Sequence, residues 1–235
     1  MEPVHLKTKE VAKRVVAAGD PARVVQLSKM LENARLVNEN RGFLIYTGFF
    51  GSEPVTVACH GVGGPSSAVV FEELIMLGAK LIIRFGTCGA FVRGMKNGET
   101  VIPTGAAYIG GALKQYIPDT HITPVPSFDV LTTLVNEFKS QGITHYVGPV
   151  FSSDAFYAED PDFVEKWSKR GYIAVEMECA TLFGLGMLRG VKTGSALLVS
   201  DNLPEKTPMV DADYLKPFVE KAGRAVLSAA VKTPV

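Results

Sequence analysis

Along nearly the whole chain, short apolar runs rich in β-branched residues alternate with stretches of helical spacing, and this alternation leaves few architectures open. The runs at 14–18, 43–50, 54–60, 80–85, about 99–107, 145–151, 173–177 and 193–200 read as strands. Helical spacing covers 22–31, 66–77, 127–140, 160–170, 179–189 and 211–231, with Val70, Leu74 and Leu77 at i, i+4 and i+7 as one instance. The two runs around Gly51-Ser52 predict a hairpin, and the stretch leading to Pro126 reads as irregular. Strands joined through helices build a parallel or mixed sheet with both faces covered, so the expectation is an α/β protein of three layers, α/β/α, around a mixed central sheet. No Pro/Ser-rich linker or charge run divides the 235 residues, which predicts a single domain over 1–235.

Lys plus Arg and Asp plus Glu number 24 each, so no global field recruits nucleic acid or an anionic membrane surface. Any anion must be held by a local cluster. Residues 1–7 have no apolar core of the signal-peptide type, and no later apolar stretch is long enough to span a bilayer, which predicts a soluble cytoplasmic protein. Cys59, Cys88 and Cys179 are odd in number and sit in apolar contexts, as buried thiols do. No Cys/His spacing suggests a metal site.

In open α/β sheets ligands gather at the carboxyl ends of the strands, where this chain keeps its small and polar residues. The first strand ends at Gly19-Asp20-Pro21-Ala22-Arg23 and another at Arg84-Phe85-Gly86-Thr87-Cys88-Gly89. Both combine arginine with glycine-rich backbone, so free N–H groups and a guanidinium can meet one tetrahedral oxyanion, and phosphate suits. Arg23 taken alone reads as an ordinary surface residue; Arg84 follows Leu81-Ile82-Ile83 and, once buried, demands a partner. Neither cluster is a P-loop, since no Gly-Lys-Ser/Thr follows, and Gly61-Val62-Gly63-Gly64 lacks the spacing of a dinucleotide fingerprint. His60, His121 and His145 have no partner visible in sequence and read as structural.

Glu176 and Glu178 stand two positions apart between Tyr172-Ile173-Ala174-Val175 and Cys179-Ala180-Thr181-Leu182-Phe183, where an unpaired charge is costly. Two explanations compete. Either the glutamates sit at a helix start, favoured by the dipole, or they hold a ligand.

Together the segments Gly19-Asp20-Pro21-x-Arg23, Asn40-Arg41-Gly42, Gly61-Val62-Gly63-Gly64-Pro65-Ser66, Arg84-x-Gly86-Thr87-x-Gly89, Ser153-Asp154-x-Phe156-Tyr157, Glu176-Met177-Glu178 and Ser200-Asp201 resemble the purine nucleoside and uridine phosphorylase family of hexameric enzymes. The match runs in order across nearly the whole chain, and within the family it is most similar to archaeal 5′-methylthioadenosine and purine nucleoside phosphorylases. The resemblance implies the nucleoside phosphorylase fold and phosphate-dependent cleavage of the N-glycosidic bond of purine nucleosides, with inorganic phosphate as co-substrate and no cofactor or metal. It implies a phosphate site of Gly19, Arg23, Arg84 and Thr87, completed by Arg41 of a neighbouring subunit. Met177 and Glu178 would hold the ribose, with His5 of the neighbour at the 5′ position. Phe156 would stack on the base, Cys88, Gly89, Val175 and Ser200 would surround it, and Asp201 would stand at purine N7. The implied assembly is a hexamer, a trimer of dimers.

Physical chemistry supports these roles. Bond cleavage passes through a ribosyl cation, which a phosphate below C1′ stabilises while an acid above stabilises the leaving base. Asp201 can be that acid if its approach strand, Leu197-Leu198-Val199, and Leu203 after it raise its pKa by desolvation; otherwise Ser200-Asp201-Asn202 is ordinary turn chemistry. Two departures matter. Bacterial purine enzymes carry an arginine in the loop after the aspartate, where this chain offers Lys206 as the nearest cation. Uridine phosphorylases carry a Gln and an Arg just after the Phe-Tyr segment, where 158–161 reads Ala-Glu-Asp-Pro, which favours purine over pyrimidine. The alternatives are a dedicated 5′-methylthioadenosine phosphorylase, a uridine phosphorylase, a nucleosidase on the same fold, which has no need of converging arginines, and a non-catalytic nucleoside-binding protein. At the 5′ position the expectation is broad specificity, with 5′-methylthioadenosine included.

Overall fold

In β1 (Arg14–Ala18) successive side chains take opposite faces: Val15 and Ala17 join one apolar cluster, Val16 and Ala18 the other. The strand is therefore apolar throughout because both of its faces are covered. The computed structural model describes residues 2–158 and 160–235; Met1 and Glu159, the latter inside the 158–161 segment, lie outside them.

After β1 come α1 (Pro21–Ser28), β2 (Glu32–Asn38), β3 (Ile45–Phe50), β4 (Glu53–Cys59), α2 (Gly64–Met76), β5 (Leu81–Ala90), β6 (Thr100–Tyr108), α3 (Gly111–Tyr116) and α4 (Phe128–Ser140). The chain continues through β7 (His145–Ser152), α5 (Phe163–Lys169), β8 (Ala174–Glu176), α6 (Cys179–Arg189), β9 (Lys192–Asn202) and α7 (Ala212–Lys232). The nine strands make one mixed sheet in the order β2-β3-β4-β1-β5-β8-β7-β6-β9, with β9 also pairing β5. That extra pairing closes the β5, β8, β7, β6, β9 half on itself. Phe71 and Leu74 of α2 and Leu182, Phe183 and Leu185 of α6 pack in the first cluster; Leu27 of α1, Leu134 and Phe138 of α4 and Val226 of α7 pack in the second. The helices thus cover both faces of a central mixed sheet, as the alternation predicts.

The strand and helix boundaries follow the sequence pattern, with four differences. β2 has no apolar alternation: Glu32 to Leu36 are all exposed, and it is an edge strand held by β3 alone. α3 is short and buries only Leu113. β5 and β9 do not stop at Phe85 and Ser200. They run on side by side to Ala90 and Asn202, because each supplies the other with a parallel partner where the local residues, glycine and serine among them, carry little strand preference. Among the described residues no helix is long and apolar enough to cross a membrane.

Candidate active site

The turn from β1 into α1 is built by Asp20, whose Oδ1 accepts from the Ala22 amide at 2.8 Å, and by Pro21 in the first helical turn. The start of α1 therefore faces the strand ends. At the parallel strand pair beside it, β5 and β9 are in register up to Cys88 opposite Val199, after which Gly89 stands opposite Asp201. Ser200 is the extra residue of a β-bulge. A bulge re-aims the side chain that follows it, and here Asp201 is turned into the same cavity as the start of α1.

That cavity has a volume of about 610 Å³, the size of a small-molecule site. Gly19, Arg23, Arg84 and Thr87 line it, as do Met177, Glu178, Cys88, Gly89, Phe156, Val175, Ser200 and Asp201. Val62, Leu203 and Met209 add apolar wall, and of these Met209 belongs to no segment that the sequence singles out. His5 and Arg41 do not line it: Asn40 Nδ2 donates to the His5 carbonyl at 2.8 Å, and Arg41 follows Asn40 in the 3-10 turn Asn40–Gly42 with φ 57°.

At one end of the cavity are two buried guanidiniums. Arg84 is 4% exposed and Arg23 8% exposed, so Arg23 is not the surface residue it resembles in isolation. Arg84 Nη2 donates to Glu178 Oε2 and lies 3.5 Å from Glu176 Oε2. Arg23 Nη1 reaches the Phe85 carbonyl at 3.4 Å. Arg84 Nε and Nη1 and Arg23 Nε have no hydrogen-bond partner, and neither do both ring nitrogens of His60, which is fully buried. Only two other buried side-chain polar atoms among the described residues, Thr100 Oγ1 and Tyr108 Oη, share that state. Unpaired buried donors are costly, and the free N–H groups of Arg23 and Arg84 at this end of the cavity can serve an acceptor with several oxygens.

Burial and then the neighbouring Arg84 push His60 down to about 4, so its imidazole is neutral at neutral pH. His60 is not among the residues that line the cavity; its ring is buried behind the Gly19 turn. Its amide donates to the Ala18 carbonyl at 2.9 Å, which continues the β1–β4 pairing and sets the ring under the Gly19 turn.

The two glutamates take different partners. Glu176 holds the start of α6: its Oε2 accepts from the amides of Glu178 at 2.7 Å and Cys179 at 2.9 Å, and its Oε1 accepts from Ser152 Oγ. Glu178 turns away. Its Oε1 accepts from the Gly63 amide at 2.6 Å and its Oε2 from Arg84. Burial opposes its ionisation, but Arg84 and the Gly63 N–H outweigh burial and hold its carboxyl below the usual range. It remains a carboxylate in the cavity wall.

At the other end Asp201 has its pKa raised, by burial first, against the hydrogen bond from Ser200. Ser200 Oγ lies 2.7 Å from Asp201 Oδ1 and 3.2 Å from the Cys88 carbonyl, so its single proton serves two acceptors. The turn chemistry falls instead to Asn202, whose Oδ1 accepts from the Glu205 amide at 3.2 Å. Lys206 follows that turn and does not line the cavity. The three cysteines are buried and free. Among the described residues no group of His, Cys, Asp and Glu could hold a metal ion.

The phosphorylase superfamily model matches residues 13–232. The chain is 35% identical over 233 residues to a guanosine phosphorylase of Halorubrum lacusprofundi, covering 96% of each chain. It is 36% identical over 202 residues to a DeoD-type purine nucleoside phosphorylase of Clostridium novyi, with 85% and 87% covered. A uridine phosphorylase of Treponema pallidum is 36% identical over 210 residues, with 85% and 81% covered. The chain belongs to the phosphorylase superfamily.

Proposed function

We infer that the protein is a purine nucleoside phosphorylase, an enzyme that transfers a pentosyl group from the base to inorganic phosphate. The observation that carries this reading is the polarity of the cavity: unpartnered guanidinium N–H groups of Arg23 and Arg84 at one end, the raised carboxyl of Asp201 at the other, and the Glu178 carboxylate on the wall. Relatives named guanosine phosphorylase and purine nucleoside phosphorylase support it.

In this reading phosphate dianion binds between the Gly19 turn, Thr87 and the two arginines, while Glu178 accepts from the ribose hydroxyls beside Met177. Phe156, half exposed at the cavity, stacks on the base, which Cys88, Gly89, Val175 and Ser200 enclose. A phosphate oxygen forms a bond to C1′ as the bond from C1′ to N9 breaks, and protonated Asp201 gives its proton to N7. The phosphate monoester loses the proton it carried as the dianion, and Asp201 regains one. Inorganic phosphate is the co-substrate, and the chemistry calls for no cofactor or metal.

The complete site is shared between subunits. His5 and Arg41, which do not line their own protomer's cavity, reach the partner's cavity, with Arg41 on phosphate and His5 at the 5′ position. Three such dimers make a hexamer. The enzyme acts in the cytoplasm on free purine nucleosides, as one domain over 1–235, and its apolar walls of Val62, Leu203 and Met209 leave it broad, with 5′-methylthioadenosine among its substrates. Initial rates with inosine, adenosine, guanosine, 5′-methylthioadenosine and uridine, with and without phosphate, test the reading. Purine release that needs phosphate and yields ribose 1-phosphate is expected; equal rates without phosphate, yielding free ribose, make the enzyme a hydrolase, and uridine as the best substrate moves it to the pyrimidine branch.

A further inference from the structure

The N-terminal segment is fastened to α2 by one carboxylate. Glu73, 6% exposed, accepts from the backbone amides of Val4 at 3.0 Å, His5 at 2.9 Å and Leu6 at 2.7 Å, and its Oε1 lies 2.7 Å from His5 Nδ1. On the other side Asn40 binds the His5 carbonyl and Asn38 Oδ1 accepts from the Lys7 amide at 2.7 Å. Phe43 stands edge-on to the imidazole at 6.4 Å between centroids. Burial opposes ionisation of Glu73, but the hydrogen bonds from the His5 ring and the three amides outweigh it and hold the carboxyl at about 2.

We propose that Glu73 is the positioning residue for 5′ recognition: it fixes His5 with the proton on Nδ1, so that Nε2 is presented as an acceptor to the 5′-hydroxyl of the nucleoside in the partner's site. The inference rests on the reading of His5 as the 5′ contact. An ionised carboxylate can only accept, so the hydrogen bond at Nδ1 requires the proton on that nitrogen, and in the neutral ring Nε2 keeps its lone pair. A 5′-hydroxyl can donate to that lone pair; a 5′-deoxy carbon and a thioether cannot. The contacts of Glu73, Asn40 and Phe43 with His5 all lie within one chain, so the fold supplies this geometry before subunits meet. The 5′-hydroxyl is therefore the preferred group, and 5′-methylthioadenosine is accepted without this bond.

The test compares inosine with 5′-deoxyinosine in wild type, His5→Ala and Glu73→Gln, reading kcat/KM for each. In the glutamine variant the side-chain amide can turn an N–H toward Nδ1, which moves the ring proton to Nε2 and removes the acceptor. Both variants are expected to lose about tenfold more on inosine than on 5′-deoxyinosine, the scale of one hydrogen bond. If His5→Ala discriminates and Glu73→Gln lowers both substrates equally or not at all, Glu73 is only a tether and the proposal is overturned while the reading of His5 stands. If His5→Ala itself fails to discriminate, the 5′ reading falls and takes the proposal with it. Nitrogen NMR of histidine-labelled wild-type enzyme gives a second readout that needs no variant: His5 protonated on Nδ1 is expected, and a proton on Nε2 overturns the assignment.

Discussion

The guanidinium of Arg84 lies directly over Gly86, two residues along the same strand face: a Cβ at position 86 would fall 1.8 Å from Arg84 Nη1. Gly86 is therefore not a turn residue; it carries no side chain because the arginine occupies that space. In the Gly86→Ala variant the guanidinium has to leave its place between Glu178 and the Gly19 turn. We predict a rise of about tenfold or more in the phosphate KM, corresponding to the loss of one charge-assisted hydrogen bond, with a smaller change in nucleoside KM. Steady-state titration of phosphate at saturating nucleoside measures it, and an unchanged phosphate KM would place the anion elsewhere.

Arg84→Ala goes further, because it strands two buried carboxylates, Glu176 and Glu178, each 4% exposed. Removing one partner of a buried ion pair costs about 3–5 kcal/mol. The variant should unfold at lower denaturant concentration as well as lose activity. Retention of wild-type stability would mean that Glu178 finds another donor.

Asp201→Asn should lower kcat/KM for ordinary purine nucleosides by about 10²-fold, the scale of general acid loss. On 7-methylguanosine, whose base is already cationic and leaves without a proton, the loss should be small. A uniform small loss on both would reduce Asp201 to a bulge residue.

The acid limb of stability should show His60. Its folded pKa, about 4, lies below the ordinary 6.5, so as pH falls below 6.5 the unfolded chain takes up a proton that the folded protein refuses. Stability is thus lost between about pH 6.5 and 4, by up to about 3 kcal/mol at 1.36 kcal/mol per unit. Urea unfolding at several pH values should show a slope over that interval which His60→Asn flattens. Glu73, held at about 2, adds a separate loss that begins only as pH falls below its ordinary 4.5.

If each site draws on two chains, Asp201→Asn and Arg41→Ala protein mixed under exchange conditions should recover activity. Half of randomly mixed dimers are mixed, and one of the two sites in each is intact, which gives about a quarter of wild-type activity. No recovery after demonstrated exchange, or full activity in a monomer, sinks the shared site.

Much of this arrangement is legible in the order of the residues. The apolar runs stop where the glycines and small polar residues fall because continuous apolar runs need burial on both faces, and most of the residues that line the cavity stand at the ends of those runs or beside them. β2 is not legible, since a polar edge strand carries no periodic signal and exists only because β3 lies next to it. Nor is the burial of His60 beneath the Gly19 turn, which a different strand forms.

The alternation of elements, the apolar faces and the inventory of charged and small groups are set by the order of residues, because they depend on local periodicity and residue chemistry. Which groups meet is set by the fold. Pairing of β5 with β9 carries both strands past their local signals and places the Ser200 bulge that aims Asp201. It separates Glu176, bound to the start of α6, from Glu178, bound to Arg84, although the two are neighbours with the same chemistry. It brings Glu73 to His5 across 68 positions. Such contacts depend on sheet register and on helix placement over the whole sheet, and no local run of residues contains that information.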